Sequence, residues 1–195
     1  MAEPNSPRIN SSMTAIGSSP GNALAIVLTG VSGSGKSEVG REVAKRLGLK
    51  FLDADDFHSN ANKDKMHRGV ALTDNDRRDW LKSLREALRQ ELDSGSTSCV
   101  LACSALKRVY REQLCDGLQA VRFFYLKIDY EVVARRLELR TDHFFDKRLL
   151  DSQFAILEEP QPNEAFVIDQ NRPLAEVVQE VLRYVTTLGL KPLKP

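Results

Sequence analysis

Apolar positions along the chain follow two alternating patterns. Short apolar runs occupy 25–29, 99–103 and 165–168, with a briefer one at 50–53 and one at 121–128 that is more alternating than continuous. Between them the spacing changes to three and four. Val39, Val43, Ala44 and Leu47 make one such stripe, and Leu81, Leu84, Leu88 and Leu92 a second. Val132, Val133, Leu137 and Leu139 follow, then Leu150, Phe154 and Leu157, and finally Leu174, Val177, Val178, Val181, Leu182 and Val185. Runs of the first kind read as strands buried on both faces, and the 3.6-residue period reads as amphipathic helix. Their alternation predicts an α/β fold, a five-stranded parallel sheet flanked by helices on both faces. The punctuation agrees. Gly48 stops the first helix, Thr73 or Asp74 caps the second, and Asp93-Ser-Gly95 ends it. Pro160-Gln-Pro162 closes the helix of 147–157, and Pro173 opens the last one. The polar, basic stretch 62–69 reads as a further helix lying over a cleft.

Composition divides the chain. Residues 1–22 are rich in Ser, Asn, Pro and Gly and bury too little apolar surface to offset the entropy of ordering, so a disordered tail is expected. A transit peptide for a plastid or other organelle is the alternative, and both Met1 and Met13 remain open as starts. The folded domain then spans 23–190, with a short C-terminal tail at 191–195. A net charge of +1 over 195 residues argues against a nucleic-acid surface, and no apolar run approaches membrane-spanning length. The three cysteines form an odd set without metal-like spacing; Cys99 and Cys103 fall in an apolar strand, which suits buried thiols in a reducing, cytoplasmic setting.

The chemistry starts where the first strand ends. Gly30-Val31-Ser32-Gly33-Ser34-Gly35-Lys36-Ser37 fills the pattern G-x-x-x-x-G-K-[ST], with a strand before it and a helix after it. Such a loop cradles phosphates with backbone N–H groups and a helix N-terminus; Lys36 reaches the β and γ phosphates, and the Ser37 hydroxyl ligates Mg²⁺. Asp53 and Asp55 follow at the C-terminal end of the second strand, where open α/β sheets place ligands. Equal parity on a strand would turn both toward the cleft, one to help hold Mg²⁺ and the other to receive a substrate hydroxyl. Arg77 and Arg78 stand in the first turn of a helix, where the dipole disfavours cations. They need acidic neighbours, which Asp74 and Asp76 supply, or an anionic ligand such as a carboxylate. Arg135, Arg136 and Arg140 lie on a helix that breaks at 140–145 and suit a mobile lid, roughly 136–148, closing over phosphates.

With these residues in hand, the chain resembles the gluconate kinase family of small P-loop kinases, in the shikimate kinase-like group. The narrower marks are Asp53-x-Asp55 with His58, Lys65-Met66, and Asp74-x-Asp76-Arg77 with Trp80-Leu81. Cys103-Ser-Ala-Leu-Lys107 with Tyr110-Arg111, His143-Phe144, Gln153-Phe154 and Leu157-Glu158-x-Pro160 complete them. The resemblance implies ATP-dependent phosphorylation of D-gluconate at its 6-hydroxyl, a P-loop kinase fold, a cytosolic setting and a homodimer. It implies that Asp53 acts near Mg²⁺ and that Asp55 holds the acceptor hydroxyl. Arg77 would grip the substrate carboxylate, with His58, Lys107 and Arg111 as further substrate-binding candidates. Arg136, Arg140 and His143 would meet nucleotide, substrate or the transferring phosphoryl, and Ile168-Asp169-x-x-x-Pro173 looks like an adenine-binding loop. Ala71 and Asp79 replace frequent prolines, and Glu38 replaces a small residue beside the phosphate loop. A P-loop kinase for shikimate or another hydroxy acid, and a nucleotide-binding regulator without turnover, are the competing functions.

Overall fold

A computed structural model describes residues 23–93, 98–139 and 147–193. The N-terminal tail, the residues 94 and 95 proposed to end the second helical stripe, Arg140, His143 and the centre of the expected lid lie outside the described residues. The described chain runs β1 (Ala25–Thr29), α1 (Lys36–Leu47), β2 (Lys50–Asp53), a 3₁₀ turn (Ala54–Phe57), α2 (Asn60–His67) and α3 (Asp74–Asp93). It continues through β3 (Cys99–Ala102), α4 (Arg108–Cys115), β4 (Val121–Lys127) and α5 (Tyr130–Glu138). Last come α6 (Lys147–Ile156), β5 (Ala165–Asp169) and α7 (Leu174–Thr187).

The five strands form one sheet in the order β2-β3-β1-β4-β5, every pairing parallel. Parallel strands need helical crossovers, and these cover both faces. On one face α3 and α4 pack through Trp80, Leu81, Leu84, Leu88, Tyr110 and Leu114. On the other, α1 and α7 pack through Val39, Val43, Leu47, Val177, Val181 and Val185. Every residue of β1 and β3 is therefore buried, which is why both read as unbroken apolar runs. Cys99 and Cys103 are buried as expected, and burial pushes both thiols up to about 12. A smaller apolar cluster at the C-terminal edge joins Val31 of the phosphate loop to Val133 and Leu137 of α5 and Leu150 of α6.

The caps explain the ends. Gly48 terminates α1 at φ 65°, a left-handed conformation that costs glycine little. Thr73 caps α3 in a reciprocal box: its Oγ1 accepts from the Asp76 N–H at 3.3 Å, and Asp76 Oδ2 accepts from the Thr73 N–H at 2.8 Å. That box fixes the helix start despite Ala71. Lys65 of α2 donates to the same Asp76 at 2.6 Å and ties the two helices together. Two features depart from the sequence pattern. Residues 108–115 form a helix, α4, and Asp55 lies on a 3₁₀ turn because β2 ends at Asp53. The strand-parity argument for Asp55 therefore fails, since the Asp53 side chain accepts the Asp55 N–H at 3.2 Å and turns the chain there.

Candidate active site

The loop after β1 lies at the C-terminal edge of the central strand, where the chain switches from crossing toward β2 to crossing toward β4. Gly33 and Gly35 have φ 79° and 83°. A Cβ on Gly33 would lie 3.0 Å from Val133 Cγ1, and one on Gly35 would lie 2.7 Å from Gln170 Nε2. Only glycine lets α5 and the segment after β5 approach the loop this closely. Lys36 Nζ donates to the Val31 carbonyl at 2.8 Å, folded over its own loop. Ser37 Oγ donates to Asp53 Oδ2 at 2.8 Å, so these two oxygen groups meet as the sequence suggested. Glu38 is exposed to solvent.

The residues after β2 and β3 build one side of the cleft. Crowding by protein raises the Asp55 carboxyl above the ordinary carboxylate range although the residue keeps solvent contact; Asp53 adds to the rise and Lys36 opposes it. His58 is buried and stacks on Trp80 with ring centroids 4.4 Å apart and planes 9° from parallel. Trp80 is fixed in turn by donating to the Ala54 carbonyl at 2.7 Å. Burial, with Arg77 and Lys63 nearby, lowers His58 to about 4, so its imidazole is neutral near pH 7. Arg77 donates to the Leu72 carbonyl at 2.6 Å and to the Tyr110 hydroxyl at 3.4 Å. Lys107, Tyr110 and Arg77 converge on the carboxylate of Asp74.

Arg111 does not join that group. It is 5% exposed, and its guanidinium donates to the carbonyls of Ala105, Leu106 and Glu158 and to the Glu164 carboxylate. The cause is local. Ala105 holds φ 37°, uncommon for a residue with a Cβ, in a turn whose Ser104 carbonyl accepts from the Gly30 N–H and the Thr29 hydroxyl. Arg111 satisfies the carbonyls that this turn buries. Four of its hydrogen bonds thus serve the fold, where the sequence suggests a substrate contact.

The residues after β4 and β5 build the other side. Arg136 of α5 donates to the Gln170 carbonyl at 3.0 Å. Asp169 ends β5 and accepts from the Asn171 N–H at 3.0 Å, an Asx turn that shapes the segment before Pro173. Gln153 of α6 is a residue whose role the sequence did not disclose. Its Oε1 accepts from the Ser32 N–H at 2.7 Å, and its Nε2 donates to Ser32 Oγ at 2.9 Å. A neutral amide in a helix carries no chemical signal by itself.

Among the described residues, three buried side-chain atoms lack a hydrogen-bond partner in the protein: Ser34 Oγ, His58 Nδ1 and Gln170 Oε1. Buried polar atoms are nearly always partnered; Ser34 belongs to the phosphate loop, Gln170 lies beside Gly35, and His58 follows the turn after β2. Two surface depressions of about 480 and 730 Å³ lie elsewhere, along α7, and contain none of these residues. No metal cage of three or more His, Cys, Asp or Glu side chains gathers among the described residues. Magnesium needs none, because one or two oxygen ligands suffice when phosphates supply the rest. The Ser37 hydroxyl and the Asp53 carboxylate fit that donor set.

Comparison with known proteins agrees with this fold. The family model described as shikimate kinase matches residues 32–186. The thermoresistant gluconokinase of Escherichia coli (strain K12) is 42% identical over 161 residues, covering 82% of this chain and 91% of its own length. A gluconokinase of Arabidopsis thaliana is 40% identical over 173 residues, covering 82% and 91%. The crystal structure of a gluconokinase from Sinorhizobium meliloti 1021 superposes with a TM-score of 0.77 at 38% identity, covering 86% of this chain and 94% of that one.

Proposed function

This chain belongs to the gluconokinase family of shikimate kinase-like P-loop kinases, and we propose that it transfers the γ-phosphoryl group of ATP to the 6-hydroxyl of D-gluconate, giving 6-phospho-D-gluconate and ADP. One observation carries the chemistry: a phosphate loop with Lys36 and a Ser37–Asp53 pair opens beside Asp55 and a cationic cluster. Phosphoryl transfer requires positioning and compensation of spread negative charge more than covalent work by the protein. Backbone N–H groups of the loop other than those of Gly30, Ser32 and Ser34, which the fold already uses, and Lys36 would hold the β and γ phosphates. Ser37 and Asp53 would hold Mg²⁺, which supplies neutralisation of phosphate charge when bound. Asp55, its proton affinity raised, accepts a hydrogen bond from the acceptor hydroxyl and orients it for in-line attack. His58 offers a neutral imidazole to the acceptor's hydroxyls, while Arg77 and Lys107 attract its carboxylate. Arg136 and Asp169 stand on the nucleotide side; Arg140 and His143 join the proposal from outside the described residues.

The test is coupled ADP release from purified protein with Mg²⁺-ATP, offered gluconate and shikimate in parallel and then other sugar acids. Turnover with gluconate supports the proposal. Turnover with shikimate alone would keep the phosphate chemistry and discard the acceptor, and no turnover would favour a nucleotide-binding regulator. A homodimer and a cytoplasmic setting are part of the same proposal, read by sedimentation and by localisation of the tagged chain. Among the described residues no helix is long and apolar enough to cross a membrane.

A further inference from the structure

The groups suited to receive an acceptor's carboxylate already hold one. Lys107 Nζ lies 2.8 Å and 2.9 Å from the two carboxylate oxygens of Asp74. The Tyr110 hydroxyl donates to the same carboxylate, and Arg77 stands 3.9 Å from it. The exposures are lopsided. The Asp74 side chain is 65% exposed, against 24% for Lys107 and 15% for Arg77. The anion thus sits on the solvent side of a sheltered cationic seat, as a ligand would.

That seat has supports other than Asp74. Arg77 is anchored by the Leu72 carbonyl at 2.6 Å, and both Arg77 and Lys107 lie 5.5 Å from the centre of the Tyr110 ring. Asp74 is instead the first residue of α3, on a side chain mostly in water. An exposed ion pair is weakly held, so rotation of this one side chain frees the seat without unfolding the helix cap built by Thr73 and Asp76.

We propose that Asp74 is a built-in stand-in for the acceptor's carboxylate: it occupies Lys107, Tyr110 and Arg77 in the free enzyme and is displaced by the sugar acid. This rests on the function proposed above. The exchange swaps one carboxylate for another, so the seat is never left without an anion. A neutral polyol lacks the group to displace Asp74, and small anions must compete with a tethered one. Asp74 therefore lowers the apparent affinity for the true acceptor and screens the site against adventitious anions.

The experiment is steady-state kinetics of the full chain with Asp74→Asn and Asp74→Ala, titrating gluconate at saturating Mg²⁺-ATP and ATP at saturating gluconate. The Ala variant shows whether an introduced amide matters. Displacement predicts a gluconate KM lower by about two- to fivefold, the scale of releasing one exposed ion pair, with the ATP KM unchanged. It also predicts that acetate and sulfate inhibit the variants competitively against gluconate at concentrations harmless to the wild type. A gluconate KM that rises in both variants overturns the inference, because Asp74 would then bind the substrate or hold the cations in place. An unchanged KM with unchanged anion inhibition overturns it too. Wild-type turnover of gluconate is the control that separates the two ideas. If it is missing, the proposed function fails and takes this inference with it; if it is present, only the inference is at stake.

Discussion

Gln153 is the residue through which α6 hydrogen-bonds to the phosphate loop, and its replacement by alanine should weaken nucleotide binding without unfolding the protein. The amide makes two hydrogen bonds to Ser32, one to its N–H at 2.7 Å and one to its hydroxyl at 2.9 Å. Each contributes about 0.5–1.5 kcal/mol net, and water replaces part of that at a half-buried site, leaving a loss of roughly 1–2 kcal/mol. A loop freed by that amount must be reordered around the phosphates, so the ATP KM should rise about 5- to 30-fold. The gluconate KM should stay near its wild-type value, because these two hydrogen bonds join Gln153 to Ser32 and to none of Asp55, His58, Arg77 and Lys107. Gln153→Glu sharpens the test. It keeps an acceptor for the Ser32 N–H and for the hydroxyl as donor, but adds negative charge beside the phosphate loop. It should melt like the wild type and bind ATP more weakly than the alanine variant. Thermal melts give stability, and initial rates over an ATP titration give the KM. An alanine variant with wild-type Tm and an ATP KM within about twofold of normal would refute the reasoning.

Other expectations follow from the same geometry. Lys36→Ala should reduce kcat by at least about 100-fold, as for the loss of one preorganised transition-state cation, and a loss under about tenfold would reject its role. Arg77→Ala should raise the gluconate KM far more than the ATP KM; equal effects on both would reject a carboxylate contact. His58 sets part of the acid limb of stability. Folding holds it neutral down to about 4, whereas the unfolded imidazole protonates near 6.5. Between those values the unfolded chain binds the extra proton, so stability falls as pH drops from 6.5 toward 4 and is level above 6.5 for this group. Urea midpoints at pH 7 and pH 5 should therefore separate more in the wild type than in His58→Phe, and equal separations would show that His58 does not titrate this way.

What the sequence discloses depends on how local the physics is. The phosphate loop is legible because its glycines, lysine and serine act within eight residues and need only a strand before and a helix after. The strands are legible because both faces of the sheet are covered, so β3 carries no polar residue and β1 only its last, Thr29, to blur the run. Helix α4 escapes because one of its three buried positions, Arg111, is charged and breaks the apolar stripe. The same residue shows how a fold contact escapes the sequence. An arginine past a strand end reads as a ligand, and only the Ala105 turn, with its inward carbonyls, shows what its donors satisfy. Asp55 misleads differently: its distance from Asp53 is two residues, but the chain leaves strand geometry between them. Strand order is the least legible feature, because no local pattern says that β3 is inserted between β2 and β1. Yet that order sorts the proposed site residues. Groups after β2 and β3, among them Asp55, His58 and Lys107, fall to one side of the central strand; Arg136 and Asp169, after β4 and β5, fall to the other. The phosphate loop on β1 stands between them. On the proposed function, an acceptor and a nucleotide brought from opposite sides would meet at Lys36, which would make in-line transfer a property of the strand order as much as of any catalytic side chain.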